Sequence, residues 1–250
     1  MYTVPRKTRR LGKNLIFRPE VASTNSLAST FAKSGEISDG TVVVTLHQSA
    51  GRGQAGSTWH TEPGRNLTMS VYLEKPVNAA DAFMLNIVST LAVADLCKSC
   101  GLNDIRVKWP NDVLVDCRKI SGILCENSIQ GETIRWSVVG IGLNINQTRF
   151  DGFNATSLSL QTEREFDLNA ILEELLFCFE SRLDQLRDGF RNQLRTTWTS
   201  LLYLHRTQHI FNTPAGPLKG MITGIDEVGR LIVETATGPR IFGPKEISFL

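Results

Sequence analysis

The sequence has no apolar run approaching about 18 residues, the length a conventional membrane-spanning helix needs. Nor does an apolar stretch follow the basic start at Lys7, Arg9 and Arg10, so no secretory signal is read there. Cysteine is sparse and odd in number: five residues, at 97, 100, 117, 125 and 178. That count favours reduced thiols in a cytoplasmic setting over a disulfide framework. Without a secretory signal the sequons at Asn66, Asn146 and Asn154 carry no meaning. Excess charge is lacking too, because a net +2 is too little to draw nucleic acid by bulk electrostatics. Repeats and low-complexity segments are absent. What remains, 41% apolar and 21% charged residues, is ordinary for a globular chain.

Periodicity predicts the elements. Leu15–Phe17 reads as a short strand, then Ser23 or a neighbour caps a helix ending at Gly35. Thr41–Leu46 and Leu67–Leu73 read as strands. Asn78 and Asp81 resemble a capping box before an apolar helix that runs to Cys97, with Gly101 past its end. Short strand candidates follow at 105–108, 113–115, 120–126, 133–136 and 138–143. Asp167 opens a second long helix ending before Gly189, and a third runs over about 191–204. Beyond 204 only brief strands between turns remain. The expected architecture is α+β: a main domain over 1–203 with a mixed sheet and flanking helices, and a small barrel-like β domain over 204–250.

The densest run is Gly51-Arg52-Gly53-Gln54-Ala55-Gly56-Ser57-Thr58-Trp59. Glycines let backbone amides approach a ligand, and the Arg52 fork suits phosphate or carboxylate. The letters also fit the dinucleotide fingerprint G-x-G-x-x-G, but that motif needs a helix directly after the glycines. Here Pro63-Gly64 and a strand follow. A structural hairpin is the plain alternative; a ligand-gripping loop is the reading preferred.

Three further runs could carry chemistry. In Lys108-Trp109-Pro110-Asn111-Asp112, proline stiffens a turn that presents an amide and a carboxylate, which could face a metal-bound phosphate or simply form a surface turn. Lys119 opens the apolar strand that contains Gly122, either as a solvated charge or as a partner for an anion. Gly140-Ile141-Gly142-Leu143-Asn144 is a strand thinned by two glycines, which suits close approach of a ligand or a bulge.

Together, Ser23-Thr24-Asn25, Gln48, the 51–59 loop, K-W-P-N-D at 108–112, K-I-S-G-I-L at 119–124 and G-I-G-L-N-I-N at 140–146 closely resemble the biotin–protein ligases, in that family's order and spacing. The resemblance covers about residues 15–150 strongly and the C-terminal part loosely. It implies a catalytic domain related to class II aminoacyl-tRNA synthetases and lipoyl ligases, followed by an SH3-like domain. It also implies ATP-dependent activation of biotin to biotinyl-5′-AMP, with magnesium, and transfer to a lysine of a biotin carboxyl carrier protein.

By the same resemblance, Ser23, Thr24, Asn25 and Gln48 would surround the biotin ring end. Gly51, Arg52, Gly53 and Gln54 would grip the carboxylate and phosphate side, and Trp59 would pack against the intermediate. Lys119 would contact the biotin carboxylate and the α-phosphate. Lys108 would join the site, Gly122, Gly140 and Gly142 would line its floor, and Asn144 would face adenine. Asp112 with Asn111 would face magnesium or the incoming lysine.

The loop departs from the family pattern: many relatives have a second arginine where this chain has Gln54, and basic residues where it has Ala55, Ser57 and Thr58. Only 22 residues precede Ser23, too few for a DNA-binding winged helix, so no DNA partner is expected. No dimer signature is legible, although the family includes monomers and dimers. A lipoate ligase on the same fold is the nearest rival, disfavoured by Trp59 and K-W-P-N-D; a non-catalytic biotin-binding protein is the other. Cys97-x-x-Cys100 lacks a second pair at zinc spacing. His205 and His209 would share a face only on a helix.

Overall fold

The computed structural model describes residues 2–249; Met1 and Leu250, the outer ends of the two expected segments, and the side chain of Ala55 lie outside the description. The chain runs β1 (Leu15–Val21), α1 (Thr24–Ser34), β2 (Val42–Gln48), β3 (Leu67–Glu74), α2 (Met84–Ser99), β4 (Ile105–Lys108), β5 (Asp112–Val115), β6 (Arg118–Gln130), β7 (Thr133–Leu143), α3 (Leu158–Thr162), α4 (Leu168–Arg187) and α5 (Arg191–Ser200). Five strands close it: β8 (Gln208–Thr213), β9 (Gly216–Ile225), β10 (Leu231–Thr235), β11 (Gly238–Phe242) and β12 (Ser248–Phe249).

The first seven strands form one mixed sheet in the order β1-β2-β3-β7-β6-β5-β4. Only β1 and β2 pair in parallel, with α1 as their crossover; the other pairs are antiparallel. Successive strand residues point to opposite faces, and the two faces have separate cores. Val42, Val44, Met69, Val71, Val139 and Ile141 pack with α2, α4 and α5 in the large core. Val43, Tyr72 and Val138 pack with Ala28 and Leu27 of α1 on the opposite face. The last five strands make a second, antiparallel sheet in the order β11-β10-β9-β8-β12.

Several elements differ from the expectations. The candidates at 133–136 and 138–143 are one strand, because buried Ser137 is satisfied by Asn127 Oδ1 at 2.6 Å across to β6 and does not break the run. Asn78 makes no capping bond; 79–81 is a 3₁₀ turn, Asp81 pairs with Arg191 at 2.7 Å, and α2 starts only at Met84. The third helix stops at Ser200, so His205 sits in an isolated bridge to Ile222 and His209 on β8. The short helix α3, capped by Ser157, had no periodic signal. The stretch Ala79–Ser99 is long and apolar enough to pass as a membrane span by composition, yet 67% of its apolar 18-residue window is buried inside the fold, where it is a core helix.

The basic N-terminus is a strap across α4. Glu180, 4% exposed, accepts the backbone N–H groups of Arg9, Arg10 and Leu11 at 2.6, 2.7 and 3.1 Å. Glu173 accepts those of Arg6 and Lys7, and Arg10 pairs with Asp184 at 2.7 Å.

Candidate active site

Sheet register assembles the site. Lys108 pairs with Asp112, Asp112 with Gly122, Gly122 with Gly142, and Gly142 with Thr68, a single row crossing β4, β5, β6, β7 and β3. Leu124, Gly140 and Ser70 make the next row. Both rows lie on the face that also carries Val138 and Tyr72, the face covered by α1. The glycines remove side chains there, and a cavity of about 320 Å³ opens beyond the helix N-terminus, within the range usual for small-molecule sites.

Lys119 joins this face through a β-bulge. Leu114 pairs with Lys119 and Val113 with Ser121, which leaves Ile120 as the extra residue. Ile120 is fully buried in the large core. The irregularity places Lys119 beside Asp112 and Gly122, as bulges re-aim side chains elsewhere. Its Nζ lies 2.6 Å from Asp112 Oδ1 and 5.5 Å from the Trp59 ring centroid. The main chain of Lys119 is held on both sides: its N–H donates to Asn154 O at 3.0 Å, and its carbonyl accepts from Thr156 N at 2.9 Å.

The glycine loop is a hairpin over the cavity. Trp59 N–H donates to Gly51 O at 3.0 Å and Gly53 N–H to Ser57 O at 2.7 Å, with a 3₁₀ turn at Gln54–Gly56. Trp59 turns its indole inward. A Cβ on Gly142 would come 2.3 Å from Trp59 Cε2, and one on Gly122 3.3 Å from Cζ3. The indole Nε1 is buried and has no hydrogen-bond partner among the described residues. Arg52 Nη2 donates to Glu126 Oε1 at 2.5 Å, and Nη1 to Ser26 Oγ at 3.2 Å.

At the other end, Gln48 Oε1 accepts from Thr24 N at 2.7 Å and Thr24 Oγ1 at 3.1 Å. Ser70 Oγ lies 2.7 Å from Thr24 Oγ1 and 2.6 Å from Asn25 Oδ1. Ser23 caps α1. Asn111 donates through Nδ2 to Ile123 O at 2.6 Å, and its own carbonyl accepts from Ile123 N, locking the 108–112 turn onto β6.

Nearly all the residues singled out in the sequence therefore meet: Ser23, Thr24, Asn25, Gln48, Arg52, Gly53, Gln54, Trp59, Lys108, Asn111, Asp112, Lys119, Gly122, Gly140 and Gly142 line this cavity. Gly51 and Asn144 do not. A Cβ on Gly51 would stand 2.3 Å from Trp59 O, so its smallness serves the hairpin. Asn144 is 3% exposed and donates to Thr156 O at 3.0 Å, bracing the segment that holds Lys119. Gly140 lines the floor but also makes room for Asn25, whose Oδ1 would be 2.2 Å from a Cβ there.

Sequence reading missed two contributions. Glu126 is the partner of Arg52, and Lys245, Ile247, Ser248 and Phe249 line the cavity from the second sheet, with Lys108 Nζ 5.1 Å from the Phe249 ring centroid. Nothing local marks the C-terminal set; only docking of the second sheet brings it here. That docking is specific: Trp109 Nε1 donates to Gly229 O at 2.8 Å, and a Cβ on Gly229 would fall 2.1 Å from Phe83.

The family model "Biotin/lipoate A/B protein ligase family" matches residues 18–144, and "Biotin protein ligase C terminal domain" matches 210–249. The chain belongs to the biotin/lipoate protein ligase family. Within it, the chain is 31% identical to the bifunctional ligase/repressor BirA of Bacillus subtilis, over 93% of this chain and 73% of that protein. It is 30% identical to the biotin–[acetyl-CoA-carboxylase] ligase of Paracoccus denitrificans, over 91% and 97% of the two chains. Its fold superposes on the biotin protein ligase of Aquifex aeolicus, solved with biotin and ATP, with a TM-score of 0.78, 26% identity and coverage of 94% and 98%. The family assignment accounts for the motif order and the second sheet.

None of the five cysteines is among the residues lining the cavity. All five cysteines are free, and burial pushes Cys125 up to about 12 and Cys97 far above the usual thiol value. Among the described residues no three His, Cys, Asp or Glu side chains converge as a metal cluster.

Proposed function

We propose that this chain is a biotin–protein ligase, activating biotin with ATP to biotinyl-5′-AMP and transferring biotin to a lysine of a biotin carboxyl carrier protein domain. The observation that carries this reading is the cavity itself, in which the family's motif residues face one another under a glycine loop, within a chain matched by the biotin/lipoate ligase model and by the biotin protein ligase C-terminal model. The C-terminal match and the named relatives favour biotin over lipoate.

In the first step a biotin carboxylate oxygen bonds to the α-phosphorus as the bond to the β-phosphate oxygen breaks, and diphosphate leaves. Two anions must meet, so cations are needed between them. Lys119 and Arg52 both line the cavity and are the cations proposed for this. The polar end at Thr24, Asn25 and Gln48 suits the ureido ring, and the Trp59 face suits an apolar chain or base. Holding the reactants in line contributes up to about 7–11 kcal/mol of barrier reduction.

In the second step the neutral amine of the carrier lysine bonds to the acyl carbon and AMP leaves. Asp112, paired with Lys119 at 2.6 Å, would receive that amine's proton once Lys119 shifts its pairing to phosphate. Magnesium commonly arrives with ATP on one or two carboxylates; Asp112 would hold it, where it would screen phosphate charge. Lys245 adds a further cation to the cavity lining. Free cysteines throughout agree with a cytoplasmic location, and no DNA partner is proposed.

The test combines protein, Mg-ATP, a carrier domain and labelled biotin or lipoate. Transfer of biotin alone is expected. Transfer of lipoate alone, or of neither label, would rule the reading out.

A further inference from the structure

Glu126 belongs to no motif used so far, yet it joins the two halves of the site. Its Oε1 accepts from Arg52 Nη2 at 2.5 Å, and its Oε2 accepts from Asn25 Nδ2 at 2.9 Å. Arg52 rides on the glycine loop; Asn25 stands in the first turn of α1. Asn25 is 3% exposed and fixed at every polar atom: Nδ2 also donates to Leu124 O at 3.1 Å, and Oδ1 lies 2.6 Å from Ser70 Oγ. Gly140 leaves the space its carboxamide fills. One carboxylate oxygen is thus pinned by a buried amide, and the other is presented at a constant place to the loop. A surface counter-ion has no such anchor.

Besides this pair the loop is tied to the body by the inward Trp59 indole at its C-terminal end and by Arg52 Nη1, which donates to Ser26 Oγ at 3.2 Å. Its internal bonds are those of a hairpin, and Gln54 supplies no charge where relatives commonly have arginine. Among the described residues, Glu126 is the acid that Arg52 meets. We propose that Glu126 is a positioning residue that docks the glycine loop over the cavity through Arg52, and so slows the escape of the acyl-adenylate between the two half-reactions. This rests on the biotin-ligase reading. The carboxylate acts only through Arg52 and touches no reacting atom.

The experiment forms labelled biotinyl-5′-AMP on the enzyme, removes free substrates, adds excess unlabelled biotin, and follows label release. Glu126→Ala removes the dock; Glu126→Gln keeps the size and an acceptor for Asn25 but loses the charge. Because the pair is half exposed, release is expected to be about five-fold faster in Glu126→Ala, with Glu126→Gln between it and wild type. Single-turnover transfer from the preformed adenylate to saturating carrier is expected to stay within about two-fold, which a general loss of structure would not allow. In an Arg52→Ala background, Glu126→Ala is expected to add nothing further. Wild-type release in Glu126→Ala, or the same acceleration with Arg52 already absent, overturns the proposal. Should the wild-type protein form no biotinyl-5′-AMP, the functional reading falls and this inference with it. A wild type that adenylates normally while its Glu126 variants release normally removes this inference alone.

Discussion

Lys119 reaches the cavity because Ile120 is an extra residue in β6 that the core accepts. Without that bulge the side chain at 119 would point to the opposite face. Lys119→Ala is expected to lower the rate of biotinyl-adenylate formation by about 10²–10³-fold, the usual loss for removal of a group that stabilises transition-state charge, with the thermal midpoint little changed. Adenylation assays on a folded variant check this, and full activity would remove the assigned role. Gly142 carries a different constraint. Its Cβ position is filled by the Trp59 indole, so Gly142→Ala is expected to push the indole out, raise the KM for biotin at least about tenfold, and shift tryptophan fluorescence to the red. At Gln54, Gln54→Arg is expected to slow intermediate release, since the loop holds a single ion pair beside its hairpin bonds and the packed Trp59 indole; unchanged release would show that charge there is irrelevant.

At the scale of elements, α4 and the N-terminal strap form a pH-sensitive pair. Burial alone would raise the Glu180 carboxyl, but the backbone N–H groups of Arg9, Leu11 and Arg10 outweigh it and hold the value below the ordinary carboxylate range. A lowered folded value stabilises the fold above the unfolded value near 4.5 and is lost as pH falls through the folded one. Glu180→Gln is therefore expected to cost about 1–3 kcal/mol at neutral pH, with the gap in midpoint from wild type closing as pH drops below that value. Thermal melts from neutral to acid conditions test the sign; a gap that widened in acid would contradict it. The same element logic explains which boundaries sequence reading missed. Ser137 looked like a break in β7 because its partner, Asn127, is a cross-strand neighbour and not a local one.

At the scale of the whole molecule, the second sheet is part of the site and not an appendage beside it. The Trp109–Gly229 bond ties the 108–112 turn to the β9–β10 turn, and Arg195 Nη2 binds the carbonyl of Asp226 in the same turn at 2.6 Å. Trp109→Phe keeps the ring packing and loses the hydrogen bond. It is expected to cost about 1 kcal/mol, or roughly 2–4 °C in the midpoint for a chain of this size, which calorimetry would read. The cavity residues Lys245 and Phe249 depend on this docking, so a raised KM for ATP is expected alongside the lower midpoint.

What the sequence determined by itself is local: where most of the strands and long helices form, which strand faces are stripped by glycines 122, 140 and 142, and which cations and amides the motifs carry. Those follow from the period-two and near-3.6-residue repeats of the chain and from backbone freedom at glycine. What only the tertiary structure decided is who stands beside whom. The row from Lys108 through Asp112, Gly122 and Gly142 to Thr68, the bulge that re-aims Lys119, the Glu126 dock and the C-terminal wall all arise from pairing between segments distant in the chain. Register and docking are set by those partners, and no local pattern encodes a partner's position.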